Sequence, residues 1–116
     1  MGIGPPASGV FFALPGIAAD PARPGRLALA FYRLGATGAI DAYLAGSTDR
    51  GGRWSAPRRL NPEPMRREWL PVTQLGPMIG DYISTSFVQG RAIPIIVIAG
   101  PPRGRLLDES AFATVR

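Results

Sequence analysis

Hydrophobic and polar side chains alternate along the first half of the chain, in short runs that turn residues separate. The run 26–33 places leucine and phenylalanine on one face and alanine and tyrosine on the other. This alternation predicts a β-strand whose two faces are both covered. Similar runs predict strands at 14–19 and 39–46, and a shorter, more polar strand at 54–60. Pro57 and the two arginines of that last run suit an edge strand.

The second half opens with a proline-rich segment and then returns to strand patterns. Segment 61–77 contains four prolines and predicts a long loop with room for one helical turn. Trp69 within it is predicted to cover a sheet edge. The run 79–88 predicts a strand, 89–90 a tight turn, and the apolar, β-branched run 91–99 a buried inner strand.

The inner strand and the residues after it carry further signals. Pro94 predicts a bulge or a missing ladder bond. Segment 100–108 is predicted to be a loop and 111–115 a last short strand. The glycine–arginine pairs at 25–26 and 90–91 each join an isoleucine-containing run to an apolar run. This correspondence indicates a weak internal repeat.

The composition supports this strand-rich interpretation and narrows the chemistry. A chain of 116 residues is one domain or part of a larger one, and with 46% hydrophobic and 18% charged residues it is expected to bury a core. Its 15 glycines and 13 prolines favour many short elements joined by turns, as in an all-β chain. It contains no cysteine and no histidine, which excludes disulfides, thiolate metal sites and histidine-based catalysis. We predict neither a metal site nor a cofactor.

The charge pattern predicts neither nucleic-acid nor membrane binding. The net charge is +5, and every basic residue is an arginine. These arginines are scattered, in runs no longer than two and without an aromatic ladder between them, which favours a solvated surface. The apolar runs are too short for a membrane-spanning helix. The run 10–19 does not resemble a signal peptide, because it lacks a preceding positive charge and contains Pro15.

The most specific motif is the segment S-T-D-R-G-G-R-W, which matches the pattern S-x-D-x-G-x-x-W. Its four fixed positions are Ser47, Asp49, Gly51 and Trp54. Asp49 is expected to accept backbone amide hydrogens of its own turn, and Gly51 or Gly52 to supply a positive φ. Trp54 is expected to pack the turn against the sheet. The same residues also suit an ordinary hairpin, and in either case the role is structural.

With this motif, which is the Asp box, the chain resembles the sialidase/neuraminidase superfamily of β-propellers, also called the BNR or Asp-box repeat superfamily. The segments P-G-I-A-A-D at 15–20 and G-R-L-A-L-A-F-Y at 25–32 look like the opening of a blade. The segments W-L-P at 69–71 and M-I-G-D-Y-I-S at 78–84 are similar to the start of the final blade in actinobacterial exo-α-sialidase-like proteins. The resemblance covers roughly residues 12–115, nearly the whole chain.

The resemblance implies an all-β fold, as a β-propeller fragment of about one and three-quarter blades, each blade being a four-stranded antiparallel sheet. Residues 10–60 would form one blade with its Asp box at 47–54. Residues 61–77 would form an interblade loop, and 78–116 an incomplete final blade. Because a propeller needs about four or more blades to close, the expected partners are the remaining blades of a larger propeller, or further copies that associate through open strand edges.

The catalytic residues that the resemblance implies are mostly missing. Sialidases hydrolyse terminal sialic acids with three arginines, a tyrosine nucleophile with its glutamate base, and an aspartate acid. The arginine and acid expected near the N-terminus are absent, and segment 36–40, ahead of the Asp box, contains no arginine. Tyr82, next to Asp81, is the one tyrosine at a position where a late-blade tyrosine could enter the central channel of the propeller. A packed or rim position is favoured over a role as nucleophile. Glu63, Glu68 and Glu109 are predicted to lie in loops.

The expected function is therefore a structural, C-terminal portion of a sialidase-like propeller, without catalytic activity of its own. Two alternatives remain open. The chain could be part of an exo-α-sialidase that acts on terminal sialic acids, or a propeller module that binds a glycan or a protein. A secreted, extracellular location is implied for a full-length relative.

Overall fold

The computed structural model describes residues 9–80 and 83–113 of the chain. The described residues form antiparallel sheets and one short 3₁₀ helix, and none of their sheets is closed. The prediction of an all-β fold is confirmed. Two larger sheets pack against each other, and a small hairpin lies in the segment that connects them.

The first sheet has the strand order β1-β2-β3-β4, and β5 also pairs with β3. Its strands are β1 (Phe11–Ala19), β2 (Leu27–Leu34), β3 (Ala39–Ser47), β4 (Arg58–Arg59) and β5 (Met65–Arg66). The strands predicted at 26–33 and 39–46 are confirmed to within one residue. The first strand begins earlier than predicted and has a bulge between Ala13 and Gly16, where Leu14 has a φ of 49°.

The fourth strand is shorter than the predicted run 54–60. Its ladder is reduced to Arg58 and Arg59, although the amide of Ser55 still donates to the carbonyl oxygen of Gly46 at 2.8 Å. The amide of Gly46 is satisfied by the side-chain Oγ of Ser55 at 2.9 Å instead of by a backbone carbonyl. Pro57 has no amide hydrogen to contribute, so the segment follows β3 without forming a regular ladder.

The second sheet has the order β10-β9-β8. Its strands are β8 (Ser84–Val88), β9 (Arg91–Arg103) and β10 (Leu106–Ala113). The tight turn predicted at 89–90 is confirmed, with φ values of 49° and 77°. The prediction of a loop at 100–108 is wrong, because β9 continues to Arg103 and β10 begins at Leu106. A register shift between Leu106 and Asp108 accommodates the prolines at 101 and 102 within the pairing.

Pro94 does not distort the second sheet. It pairs with Thr85 in a register that runs unbroken from Ser84↔Ile95 to Val88↔Arg91. Of the two alternatives predicted for Pro94, the bulge is therefore absent, and the missing ladder bond remains, because proline has no amide hydrogen to donate.

The connecting segment is more ordered than a plain loop. It contains β5, a 3₁₀ helix (Arg67–Trp69), and a hairpin of β6 (Val72–Thr73) and β7 (Gly76–Pro77). The single helical turn that the sequence allowed is present as this 3₁₀ helix. The strand predicted to start at 79 begins only at Ser84.

The two sheets share one hydrophobic core. Its buried members are Tyr32, Ile40, Ala42, Met65, Leu70, Ile96 and Ala99. Trp69 packs against this cluster while partly exposed. Hydrogen bonds also cross between the sheets, among them those from Thr85 Oγ1 to the Gly16 carbonyl at 3.1 Å and from the Ala99 amide to Met65 Sδ at 3.2 Å.

Candidate functional site

Ser47 is the centre of the turn formed by the S-x-D-x-G-x-x-W motif. It is the last residue of β3 and is buried. Its Oγ accepts the amide hydrogens of Asp49 at 3.3 Å and Gly51 at 2.9 Å. The same hydroxyl donates to Asp49 Oδ1 at 2.9 Å. One buried hydroxyl thus satisfies three polar groups of the turn.

Asp49 closes the other side of the turn. Its Oδ1 accepts the Arg53 amide at 2.7 Å, and its carbonyl oxygen accepts the Gly52 amide at 3.2 Å. The Arg53 amide, followed by the Ser47 hydroxyl, lowers the pKa of Asp49 below its usual value. The predicted role of Asp49 as an acceptor for its own turn is confirmed.

Glycine and tryptophan also take their predicted places. Gly51 has a φ of 88° and supplies the left-handed conformation that the turn requires. A Cβ on Gly51 would lie 3.6 Å from Trp54 Cζ2 and 3.7 Å from Leu27 Cδ1. The indole therefore lies over the turn, next to the first residue of β2.

The Asp-box turn is docked on the turn between β1 and β2. The Arg50 amide donates to the Gly25 carbonyl oxygen at 2.9 Å. A Cβ on Gly25 would lie 3.3 Å from Arg50 Cγ, so glycine at this position permits the close approach. The β1–β2 turn and the Asp-box turn thus lie together and form one polar end of the first sheet.

Arg26 joins that end to the second sheet. Its Nη1 donates to Asp20 Oδ2 at 3.0 Å and to the Gly90 carbonyl oxygen at 2.6 Å. Its guanidinium lies 4.9 Å from the ring centroid of Phe87. Asp20 also accepts the Ala22 amide, and this hydrogen bond is the largest cause that lowers the Asp20 pKa.

A groove of about 510 Å³ opens beside Arg26, between the two sheets. Its walls come from β2, β3, the segment after the Asp box and the tip of the β8–β9 hairpin. The positively charged residues that line it are Arg26, Arg58 and Arg91. The sequence gives no signal for this groove, because its arginines come from three separate segments.

A second cleft, of about 540 Å³, lies at the β2–β3 turn. Its lining includes Trp69, Glu63, Glu68 and Arg66. Within the described ranges, neither glutamate side chain has a hydrogen-bond or ion-pair partner. The cleft therefore combines a partly exposed indole with carboxylate acceptors.

The remaining candidate residues are Asp81, Tyr82 and Glu109. Asp81 and Tyr82 lie outside the described residues, so the tyrosine candidate stays a prediction. Glu109 lies in β10 and not in a loop as predicted, and burial raises its pKa. In 9–80 and 83–113, no group of acidic side chains is arranged to hold a metal ion, and no helix is long and apolar enough to span a membrane.

The buried Asn61 also has a structural function that the sequence analysis missed. Its Oδ1 accepts the Ala42 amide at 2.8 Å, and its Nδ2 donates to Asp41 Oδ1 at 2.9 Å and to the Glu63 carbonyl at 2.7 Å. Asn61 Oδ1 thereby takes the place of a backbone acceptor for the Ala42 amide of β3. No protein-family model, curated protein or solved structure matches the chain.

Proposed function

We propose that the chain forms about one and three-quarter blades of a sialidase-like β-propeller and that its role is structural. The observation that carries this proposal is the turn after β3. All four fixed positions of the Asp box take part in it: Ser47 and Asp49 bond its amides, Gly51 supplies its backbone conformation and Trp54 covers it. Such a turn between the third and fourth strands is what the family resemblance implies for a blade.

The packing of the two sheets supports the same proposal. Each sheet begins with a simple antiparallel meander, β1-β2-β3-β4 in the first and β8-β9-β10 in the second. The sheets lie face to face, and β1 lies against β8. Successive blades of a propeller stack their four-stranded sheets in this way around a central channel.

Open edges and exposed apolar side chains support the need for partners. In the part of the chain that the structure describes, β1 and β10 each have a neighbouring strand on one side only. Phe11, Ile17 and Leu106 are 65%, 61% and 74% exposed. Unpaired strand edges and exposed apolar surface favour association, so we propose that further blades or further copies of the chain cover them.

The test is the association state and the stability of the purified protein. Light scattering coupled to size exclusion is expected to show self-association, and thermal unfolding is expected to be broad for any dissociated chain. A clean monomer with a sharp cooperative melt would contradict the proposal, because these blades alone would then be sufficient.

A second candidate is a module that binds a glycan, and the cleft beside Trp69 favours it. A partly exposed indole can pack against the apolar face of a sugar ring, while Glu63 and Glu68 accept hydrogen bonds from its hydroxyl groups. Glycan-array binding that both Trp69→Leu and Glu68→Gln weaken would support this site. Binding that both variants retain would reject it.

A further inference from the structure

The groove between the two sheets carries positive charge and no carboxylate. Arginine 26, 58 and 91 are its charged lining residues. Its volume of about 510 Å³ falls within the ~300–1,000 Å³ that ligand sites usually occupy. A groove of one charge sign attracts ligands of the other sign.

Two of the arginines are available for a ligand. Arg58 in β4 and Arg91 at the start of β9 are exposed. Within residues 9–80 and 83–113, neither guanidinium has a hydrogen-bond or ion-pair partner. A guanidinium binds a carboxylate through two parallel hydrogen bonds, so each arginine offers one carboxylate site.

Arg26 is a third arginine of the lining, and its guanidinium is already held in place by an ion pair with Asp20. Asp20, the Gly90 carbonyl and the Phe87 ring fix its position. Its side chain is still 27% exposed. A charge that is fixed before binding loses little side-chain entropy when a ligand arrives.

The floor of the groove contains small apolar side chains. It includes the buried Ala28 and Ala45, together with Ala56 and Ala92. Ser55 Oγ accepts the Gly46 amide, which leaves its own hydrogen to donate to a ligand acceptor. The surface thus offers an apolar floor, a hydroxyl donor and arginines.

We propose that this groove binds an acidic peptide segment in an extended conformation. Alternate side chains of an extended peptide lie on one face, about 6.7 Å apart. Small side chains of one face would lie on the alanine floor, and carboxylates of the other would pair with Arg58 and Arg91. The proposal does not depend on the propeller proposal, because it uses only the groove.

The groove is less suited to nucleic acid. Binding of single strands relies on aromatic faces on which bases stack. Phe87 is the aromatic residue of the lining, and the guanidinium of Arg26 lies over its ring. The groove therefore offers the positive charge of its arginines and contacts with small apolar side chains. These features fit a peptide with alternating acidic and small residues.

The experiment titrates the full chain against a fluorescein-labelled peptide of alternating glutamate and alanine, followed by fluorescence anisotropy at low salt. The control peptide has glutamine in place of glutamate. The glutamate peptide is expected to bind at least about tenfold more tightly, as charge-assisted hydrogen bonds predict. Arg58→Glu and Arg91→Glu are each expected to weaken binding at least about tenfold.

Arg103→Glu is the matched control, because it makes the same charge change at the far end of β9. It is expected to leave the affinity unchanged. Equal weakening by Arg103→Glu would overturn the proposal in favour of attraction by net charge, and so would equal binding of the two peptides. Displacement of the peptide by octanoate or by a thymidine oligonucleotide at lower concentration would assign the groove to another ligand class. If a charge reversal unfolds the chain, Arg58→Gln and Arg91→Gln provide the same comparison.

Discussion

The hydroxyl of Tyr32 forms two hydrogen bonds with the backbone of Val97. It donates to the Val97 carbonyl oxygen and accepts the Val97 amide hydrogen, each at 2.8 Å. Val97 lies beyond the last β8–β9 pair, Ser84↔Ile95. A side chain of the first sheet thus satisfies backbone groups of β9 where its pairing with β8 has ended.

Removal of this hydroxyl is expected to destabilise the protein. Tyr32→Phe leaves the partly buried amide and carbonyl of Val97 without their partner, which costs on the order of 1–3 kcal/mol. Urea unfolding followed by circular dichroism measures the change in free energy of unfolding. Tyr43→Phe is the control, because the Tyr43 ring stacks on Phe31 through contacts that phenylalanine retains. Equal stability of Tyr32→Phe and the wild type would contradict the assigned role.

Stability is also expected to fall at alkaline pH. Burial raises the pKa of Tyr32 to about 12, whereas the tyrosine of the unfolded chain ionises near about 10. The folded protein keeps the neutral hydroxyl while the unfolded chain ionises. The free energy of unfolding is therefore unaffected by this group below a pH of about 10. It falls by on the order of 2 kcal/mol between a pH of about 10 and a pH of about 12. Between these pH values, the free energy of unfolding is expected to decline less steeply with pH for Tyr32→Phe than for the wild type. Identical slopes would reject the explanation.

The stability of the Asp-box turn is expected to depend on the hydroxyl group of Ser47. Ser47→Ala removes the buried acceptor of two amides and the donor to Asp49, so a loss on the order of 1–3 kcal/mol is expected. Thr48→Ala changes the adjacent, exposed side chain and should leave the stability nearly unchanged. Chemical unfolding of both variants measures the difference. Equal losses would mean that the hydroxyl network has no specific role.

Acid should weaken the same turn. Backbone amides lower the pKa of Asp49, and hence its contribution is complete above the ordinary aspartate pKa and is lost as the pH falls through the lowered value. Asp49→Asn keeps an oxygen acceptor but cannot titrate. Its melting temperature is therefore expected to fall less between neutral and acidic pH than that of the wild type. A pH dependence equal to that of the wild type would contradict this account.

The chain assayed alone is expected not to hydrolyse a fluorogenic sialoside. A retaining mechanism requires a nucleophile, an acid and a carboxylate clamp that converge on one sugar. The segment 36–40 lacks the expected arginine, and Tyr82 is the one candidate nucleophile. Turnover above that of a Tyr82→Phe variant would show that the site is more complete than we propose.

The sequence predicts well those parts of the fold that depend on neighbouring residues. The alternation around β2 and β3 identifies both strands, because each covers its two faces with apolar side chains. The Asp-box turn is predictable for the same reason, since Ser47, Asp49 and Gly51 act on one another within a few positions.

Features that depend on distant residues are not predictable in this way. The sequence of β10 includes Asp108 and Glu109 and lacks a clear apolar alternation, so its existence depends on pairing with the long β9. The groove brings together arginines from three segments, and the Tyr32–Val97 hydrogen bonds join residues 65 positions apart. None of these leaves a local pattern in the sequence.

The hydrogen bond from Arg26 to the Gly90 carbonyl has a consequence for the folding of the chain. It joins the β1–β2 turn to the β8–β9 turn across 64 positions, whereas each hairpin closes over only a few residues. Each hairpin is therefore expected to form early and locally, and their docking is expected to be the slower step because it carries the larger loop-closure entropy. Once docked, neither turn can open without breaking the Arg26 contact, so their amides should exchange with solvent as one cooperative unit.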